Sequence, residues 1–217
     1  MTGRPLVGRT EVLSAGDSMS SRPREGREAT RVEAFSDGVM AVIITIMAFG
    51  LNVPEDTTWH AVRQQLPSLL VYVLSFTLIG IYWNNHHHLL RATERISGAV
   101  MWTNLHLLFW LSLIPLATKW VGEAHQSSMP ASAYGIVSVG AAVAYGLLAQ
   151  MIILANGRNS AVARAIGSDF KGKLSMGLFA AAVGLAWLSP WIAYAIYVGV
   201  ALLWFVPDRR LSPGGPG

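Results

Sequence analysis

Six apolar stretches, each close to bilayer thickness in length, constrain this chain more than any other feature. A helix needs roughly 20 mainly apolar residues to cross the hydrocarbon core of a membrane. Hydropathy indicates spans near residues 32–51, 67–89, 97–118, 132–154, 172–188 and 191–206. Composition agrees, because 53% of the residues are hydrophobic and only 13% are charged. The sequence therefore predicts an all-α integral membrane protein with six transmembrane helices.

The last two stretches leave one alternative open. Ser189 and Pro190 are the only residues available for a hairpin between them. A single helix kinked at Pro190 would instead leave five spans. We favour the hairpin because the combined stretch is too long for one crossing.

Basic residues predict the orientation of the chain. All of the 16 Lys and Arg residues except Arg63 and Lys119 fall in the N-terminal tail, the loops 90–96 and 155–173, or the C-terminal tail. Cytoplasmic loops of membrane proteins carry such an excess. We therefore expect both termini in the cytoplasm, which requires an even number of crossings. The net charge of +4 follows from this asymmetry, so no nucleic-acid partner is expected.

The N-terminal residues differ from the rest of the chain. Residues 1–30 are rich in Gly, Ser, Pro and Arg and lack the apolar core of a signal peptide. We expect a disordered, Arg-rich cytoplasmic tail over 1–30, a transmembrane domain over 31–207 and a short cytoplasmic tail over 208–217.

A carboxylate inside the first span, Asp37, marks a candidate functional site. An ionisable group in lipid costs several kcal/mol unless it faces protein or water. With the orientation above, Ser36 and Asp37 lie at the depth of Trp83 and His86 in the second span and of Asn104 in the third. Polar groups at one level can satisfy each other's hydrogen bonds, which lipid cannot. A purely structural lock between helices is the simpler interpretation of the same residues. Also near this depth lie Asn84, Asn85, His87, His88 and His106.

Metal and catalytic chemistry find little support in the sequence. Three successive histidines, His86 to His88, spread over about 200° of a helix, so at most two could approach one metal ion. A haem between His86 or His87 and His106 is sterically conceivable, but nothing else suggests redox work. The chain has no Cys, no Gly-x-Ser-x-Gly elbow and no phosphate-binding Gly-rich loop. We expect no enzyme activity, no cofactor and no metal other than a permeant ion.

The first span has two side-chain stripes. Val42, Ile46 and Phe49 form one, and Asp37, Ala41 and Thr45 run beside it. An apolar stripe at helical spacing normally indicates packing or lipid contact. The stripe alone is therefore weak evidence for a pore.

Several motifs carry a family resemblance. Arg31-x-x-x-Phe35-Ser36-Asp37, followed by an Ala/Ile/Thr-rich helix and Pro54, resembles the signature that opens the first helix of the transmembrane protein 175 family. That family comprises the lysosomal potassium channel and its prokaryotic relatives. Tyr82-Trp83-x-x-His86-His87, and Asn104 followed by Leu113-Ile114-Pro115, resemble its second and third helices. The resemblance covers about residues 31–118.

This resemblance implies a potassium-preferring cation channel in the cell membrane. Six-helix subunits would form a homotetramer with helix 1 lining the pore, so K+, the lipid bilayer and further copies of the chain are the expected partners. The apolar constriction would fall on Val42, Ile46 and Phe49, and potassium selectivity on Thr45. The polar network would comprise Arg31, Phe35, Ser36, Asp37, Trp83, His86 and Asn104. Val42 and Phe49 replace the family's usual Ile and Leu, and the bulky Phe49 predicts a tighter extracellular gate.

The alternative function is a proton-coupled secondary transporter that uses Asp37 and His86. Transporters of that kind are commonly built from two related halves, and the sequence shows no convincing repeat between spans 1–3 and 4–6. The chain also lacks a Thr-Val-Gly-Tyr-Gly carbonyl filter. If it is a channel, ions pass rings of side chains, and discrimination between potassium and sodium should be modest.

Overall fold

Helices make up all the regular structure in the described part of the chain. A computed structural model describes residues 12–54, 56–167 and 169–205. Its helices are α1 (Val12–Phe49), α2 (Trp59–Arg91), α3 (Gly98–Ser112), α4 (Ile114–Glu123), α5 (Ser128–Asn156), α6 (Ala161–Ile166), α7 (Phe170–Leu185) and α8 (Pro190–Phe205). The predicted all-α class is confirmed.

The long helices run alternately up and down the bundle. α2 packs against α1 and α4, α3 against α5, and α5 against α7. The loops 92–97 and 157–169 meet at one end, where Asn156 Oδ1 accepts hydrogen bonds from the backbone N–H groups of Glu94 and Arg95 at 3.0 and 2.8 Å. We call this the basic end, because Arg95 and Arg158 lie in these loops and Arg164 lies in α6, which is part of the second one.

Four segments of the described residues are long and apolar enough to cross a membrane. They are Glu28–Phe49, Trp59–Arg91, Gly98–Glu123 and Ser128–Asn156. The third combines α3 and α4, which are separated at Leu113. Pro115 has no N–H to donate to the Leu111 carbonyl, and the Leu113 N–H bonds to the Trp110 carbonyl three residues back at 3.2 Å.

The chain reverses direction between α7 and α8, each of which has 16 residues. Trp204 Nε1 donates to Ser175 Oγ at 3.0 Å, and the rings of Phe179 and Tyr197 lie 6.0 Å apart. These contacts join the two helices as an antiparallel hairpin. The alternative of one helix kinked at Pro190 is therefore wrong. Pro190 is instead the first residue of α8, where its missing N–H costs nothing.

Two helices begin eight or more residues earlier than hydropathy indicates. α2 begins at Trp59, because Thr58 Oγ1 accepts a hydrogen bond from the Ala61 N–H at 3.3 Å and caps the helix. α1 begins at Val12, whereas a disordered tail is expected over residues 1–30. Extending an established helix avoids the cost of nucleation, which accounts for helix beyond the apolar stretch. Residues 1–11 and 206–217 lie outside the described residues.

Two buried clusters form the core of the bundle. The first joins α1, α2, α3 and α5 around Leu107, Leu111 and Leu148. The second joins α2, α4, α5, α7 and α8 around Phe179 and Tyr197. In lipid these contacts stabilise by close van der Waals packing rather than by escape from water. The first cluster holds one side of α1.

Candidate functional site

One face of α1 is buried against the bundle. Ser36, Met40, Ile43 and Met47 follow each other at steps of four, three and four residues, and each is at most 4% exposed. This spacing keeps them on one side of a helix. The contacts that α1 makes with α2, α3 and α4 therefore fix its rotation about its own axis.

A buried chain of hydrogen bonds links three helices through His86, Asn104 and Ser36. His86 Nε2 lies 2.8 Å from Asn104 Oδ1, and because that oxygen can only accept, Nε2 carries the proton. Asn104 Nδ2 donates to Ser36 Oγ at 2.9 Å, and Ser36 Oγ donates to the Val32 carbonyl at 2.8 Å. We call these three side chains the buried polar chain. The other ring nitrogen, His86 Nδ1, is buried and has no hydrogen-bond partner among the described residues.

A second cluster joins α1 to α2 beside the buried polar chain. Trp83 Nε1 donates to Asp37 Oδ1 at 3.0 Å. One turn away, His87 Nδ1 and Glu33 Oε1 lie 2.7 Å apart, and Arg91 Nε lies 3.8 Å from the same oxygen. The rings of Trp83 and His87 stack with centroids 5.9 Å apart. We call Glu33, Asp37, Trp83 and His87 the α1–α2 clasp, since two side chains one turn apart on each helix face each other.

The clasp also bears on metal binding. Ligand atoms of Glu33, Asp37 and His87 all lie within 4.8 Å of one another. The sequence predicts no metal site from the spacing of the three histidines alone and does not identify this group. However, Arg91 already approaches the Glu33 carboxylate and the Trp83 N–H already occupies an Asp37 oxygen. These partners balance the carboxylates from within the protein, so we assign the cluster to helix–helix contact.

Some residues expected in the network lie elsewhere. Arg31 is exposed and makes no hydrogen bond or ion pair with the described residues, and Phe35 is 55% exposed. Neither side chain joins the buried polar chain or the clasp within this chain. His106 is also exposed, and its Nε2 accepts from Trp110 Nε1 on its own helix at 3.3 Å. His86 and His106 therefore engage separate partners, which gives the haem alternative no support.

The apolar stripe of α1 lies on an exposed side of the helix, outside its buried face. Val42 and Ile46 are each 55% exposed, and Phe49 is 85% exposed. Thr45 is exposed beside them, and its hydroxyl donates to the Ala41 carbonyl at 2.9 Å. A groove of about 580 Å³ follows the stripe as far as the break between α3 and α4 at Pro115.

Comparison with known proteins gives consistent matches. Residues 31–115 match the family model described as "Endosomal/lysosomal potassium channel TMEM175". A potassium channel of Chryseobacterium sp. (strain P1-3) is 46% identical over 182 residues, which cover 84% of this chain and 95% of that protein. The endosomal/lysosomal proton channel TMEM175 of Homo sapiens is 31% identical over 99 residues, which cover 40% of this chain and 20% of that protein.

A solved structure matches as well. The crystal structure of a lysosomal potassium-selective channel TMEM175 homolog from Chamaesiphon minutus has a TM-score of 0.74 at 26% identity, covering 83% of this chain and 97% of that one. The family resemblance seen in the sequence motifs is thus confirmed. The chain is a multi-pass membrane protein that belongs to the TMEM175 family of ion channels, which are not enzymes.

Proposed function

We propose that this protein is a potassium-preferring cation channel in which four identical subunits surround a pore lined by α1. The observation that carries the proposal is the two-sided character of α1. One face is buried in the subunit, while Val42, Ile46 and Phe49 form an apolar stripe on an exposed face. The Chryseobacterium relative is named a potassium channel, and the Chamaesiphon structure is titled a potassium-selective channel.

In such a tetramer each residue of the stripe would form a ring of four side chains. Narrow apolar rings in a pore gate by dewetting, so conduction depends on their width and hydration. We propose Val42, Ile46 and Phe49 as the constriction and Thr45 as the residue that favours potassium. The Thr45 hydroxyl donates its hydrogen bond to the Ala41 carbonyl, which leaves the oxygen lone pairs free to face a cation.

The buried polar chain and the clasp would hold this stripe in place. Ser36 and Asp37 anchor α1 to α2 and α3 through Asn104 and Trp83. Rotation of α1 about its axis would break these hydrogen bonds in an environment without water to replace them. We therefore propose that the network positions the pore helix rather than conducting ions. Arg31 and Phe35, exposed within one subunit, would find their partners in neighbouring subunits.

The proposed topology has six crossings, with both termini and the basic end in the cytoplasm and the chain in a prokaryotic plasma membrane. The 31–207 segment would be the channel domain. The distribution of Lys and Arg supports this orientation. Green fluorescent protein fused to the C-terminus should fluoresce, because it folds in the cytoplasm. A dark fusion, together with an active periplasmic reporter at the same position, would reverse the assignment.

Flux through reconstituted liposomes tests the channel proposal directly. Under opposed potassium and sodium gradients, the wild type should pass potassium faster than sodium without any other energy source. Ile46→Asn should raise the flux severalfold by hydrating the apolar ring. Ile46→Val keeps the ring apolar and serves as the matched control, which should stay near the wild-type rate. Thr45→Val, of similar shape but without the hydroxyl, should lower the preference for potassium over sodium.

The outcomes separate the channel from the alternative. Flux that appears only with an imposed proton gradient would indicate the proton-coupled transporter. Equal flux in Ile46→Asn and Ile46→Val would remove α1 from the pore. Because the human relative is named a proton channel, proton flux should be recorded with a pH-sensitive dye in the same vesicles.

A further inference from the structure

A cavity of about 400 Å³ lies between α2, α5, α7 and α8, away from the exposed stripe of α1. Its volume falls within the roughly 300–1,000 Å³ typical of ligand pockets. It reaches from the middle of the bundle, at Leu78, Phe179 and Val200, towards the basic end, at Asp169 and Lys173. Most of the wall is apolar, and the polar groups gather towards the basic end.

Two tyrosine hydroxyls in this wall have no hydrogen-bond partner among the described residues. Tyr82 and Tyr145 both line the cavity, and their rings lie 6.1 Å apart. Neither hydroxyl forms a hydrogen bond with another residue in the described ranges. The two hydroxyls add polar atoms to a wall that is mostly apolar.

The mouth of the cavity carries one charge of each sign. Asp169 caps α7 by accepting the Gly172 N–H at 3.3 Å, and Lys173 lies one turn further along that helix. No direct ion pair joins them among the described residues. Burial raises the pKa of the Asp169 carboxyl, against the opposing effects of the Gly172 N–H and the Lys173 charge. A cation bound at Asp169 would favour the ionised form of the carboxyl.

We propose that this cavity binds one acyl chain of a zwitterionic phospholipid, with the lipid ammonium at Asp169 and the lipid phosphate at Lys173. The head group would sit at the membrane surface beside the 157–169 loop, and the chain would run along the apolar wall to the middle of the bundle. An anionic lipid could use Lys173 but would be repelled by Asp169. Trp204, which also lines the cavity near the end of α8, suits the interface position typical of Trp.

Native mass spectrometry of the full-length protein in mild detergent tests this site. The probes are palmitoyl-oleoyl phosphatidylethanolamine and the phosphatidylglycerol with the same chains. We expect one phosphatidylethanolamine per subunit, bound about tenfold more tightly than phosphatidylglycerol, the factor that corresponds to roughly 1.4 kcal/mol from one charge-assisted hydrogen bond. Asp169→Asn should abolish this preference while keeping the helix cap, because Asn caps as well as Asp.

A cavity-filling variant tests the acyl-chain site separately. A Cβ added at Gly146, which lines the cavity, meets nothing within 4 Å, so Gly146→Leu should fold and displace the lipid. Gly184 is equally open but lies outside the cavity, and Gly184→Leu should keep the lipid. Equal binding of the two lipids by the wild type would overturn the head-group assignment. Lipid retained by a Gly146→Leu protein of unchanged oligomeric size would overturn the cavity assignment, and neither result depends on whether the protein conducts ions.

Discussion

Single side chains fix the position of α1. The sequence predicts their depth along the helix but not their rotation about its axis. Hydropathy predicts that Ser36, His86 and Asn104 lie at one depth, and in the structure these three side chains form the buried polar chain. Rotation about the helix axis is set by packing, which the sequence does not reveal. His86 points inward, whereas His87 points to Glu33.

Glu33 is the member of the clasp that the sequence did not predict. It lies near the start of the first span, where a charged residue is normally interpreted as part of a solvated flank. The sequence feature that could have identified it is the spacing of residues along the two helices. Glu33 and Asp37 are four residues apart, as are Trp83 and His87, so each pair shares one helix face. Two such pairs on antiparallel neighbours meet turn by turn. The pairing can be recognised only when the neighbouring helix is known, because a single pair of such residues four apart is common on any helix.

Replacing Asp37 tests the clasp at residue level. Asp37→Ala should lower the free energy of unfolding by about 1 kcal/mol or more, because Trp83 Nε1 loses its acceptor. Asp37→Asn keeps the acceptor oxygen and should lose less. Trp83→Phe removes the donor instead. The double variant Asp37→Ala/Trp83→Phe should lose less than the sum of the single variants, since both remove the same hydrogen bond.

The measurement is unfolding in mixed micelles with increasing dodecyl sulfate, followed by circular dichroism. Circular dichroism is preferable to Trp fluorescence because Trp83 is itself replaced. Strict additivity of the two single variants would show that the 3.0 Å contact contributes no coupling energy.

At the scale of helices, hydropathy predicted which segments are apolar but not where helices begin or break. The α2 start is set by the Thr58 cap and the α3–α4 break by Pro115, which are local backbone effects. Close approach of helices is likewise a matter of single positions. On α5, a Cβ added at Gly140 would overlap the ring of Trp110 on α3. Small residues at such crossings allow backbones to approach closely in membranes.

Gly140→Ala should therefore destabilise the α3–α5 contact by about 1–3 kcal/mol, the usual cost of overpacking. Gly146→Ala on the same helix is the matched control, because its added methyl group meets nothing within 4 Å. There the higher helix propensity of Ala should give a small gain of about 0.5–1 kcal/mol. Both variants are compared with wild type by the same dodecyl sulfate titration. Equal effects of the two substitutions would contradict the close approach of Trp110 to Gly140.

For the whole molecule, the sequence predicted the fold class and the family. The structure of a single chain does not show what covers the exposed stripe of α1. Val42, Ile46 and Phe49 are exposed on α1, and physics alone allows lipid or another subunit to cover them. The prediction of a tetramer rests only on the family resemblance, because a stripe of apolar residues does not indicate the number of subunits. The two possibilities differ in the distance between the α1 helices of different copies, which is short only if subunits cover the stripe.

Proximity can be measured directly because the chain has no Cys. If α1 helices surround a pore, Ile46→Cys places identical thiols around the axis at the constriction. Mild oxidation in membranes should then give a covalent dimer on a denaturing gel. Disulfides need Cβ atoms about 3.5–4.5 Å apart, so the bond should form readily only near the axis. Leu202→Cys on α8, where Leu202 is 60% exposed, is the control and should stay monomeric. A monomer with Ile46→Cys and a dimer with Leu202→Cys would place α8, not α1, between subunits, and the constriction would have to be sought on another helix.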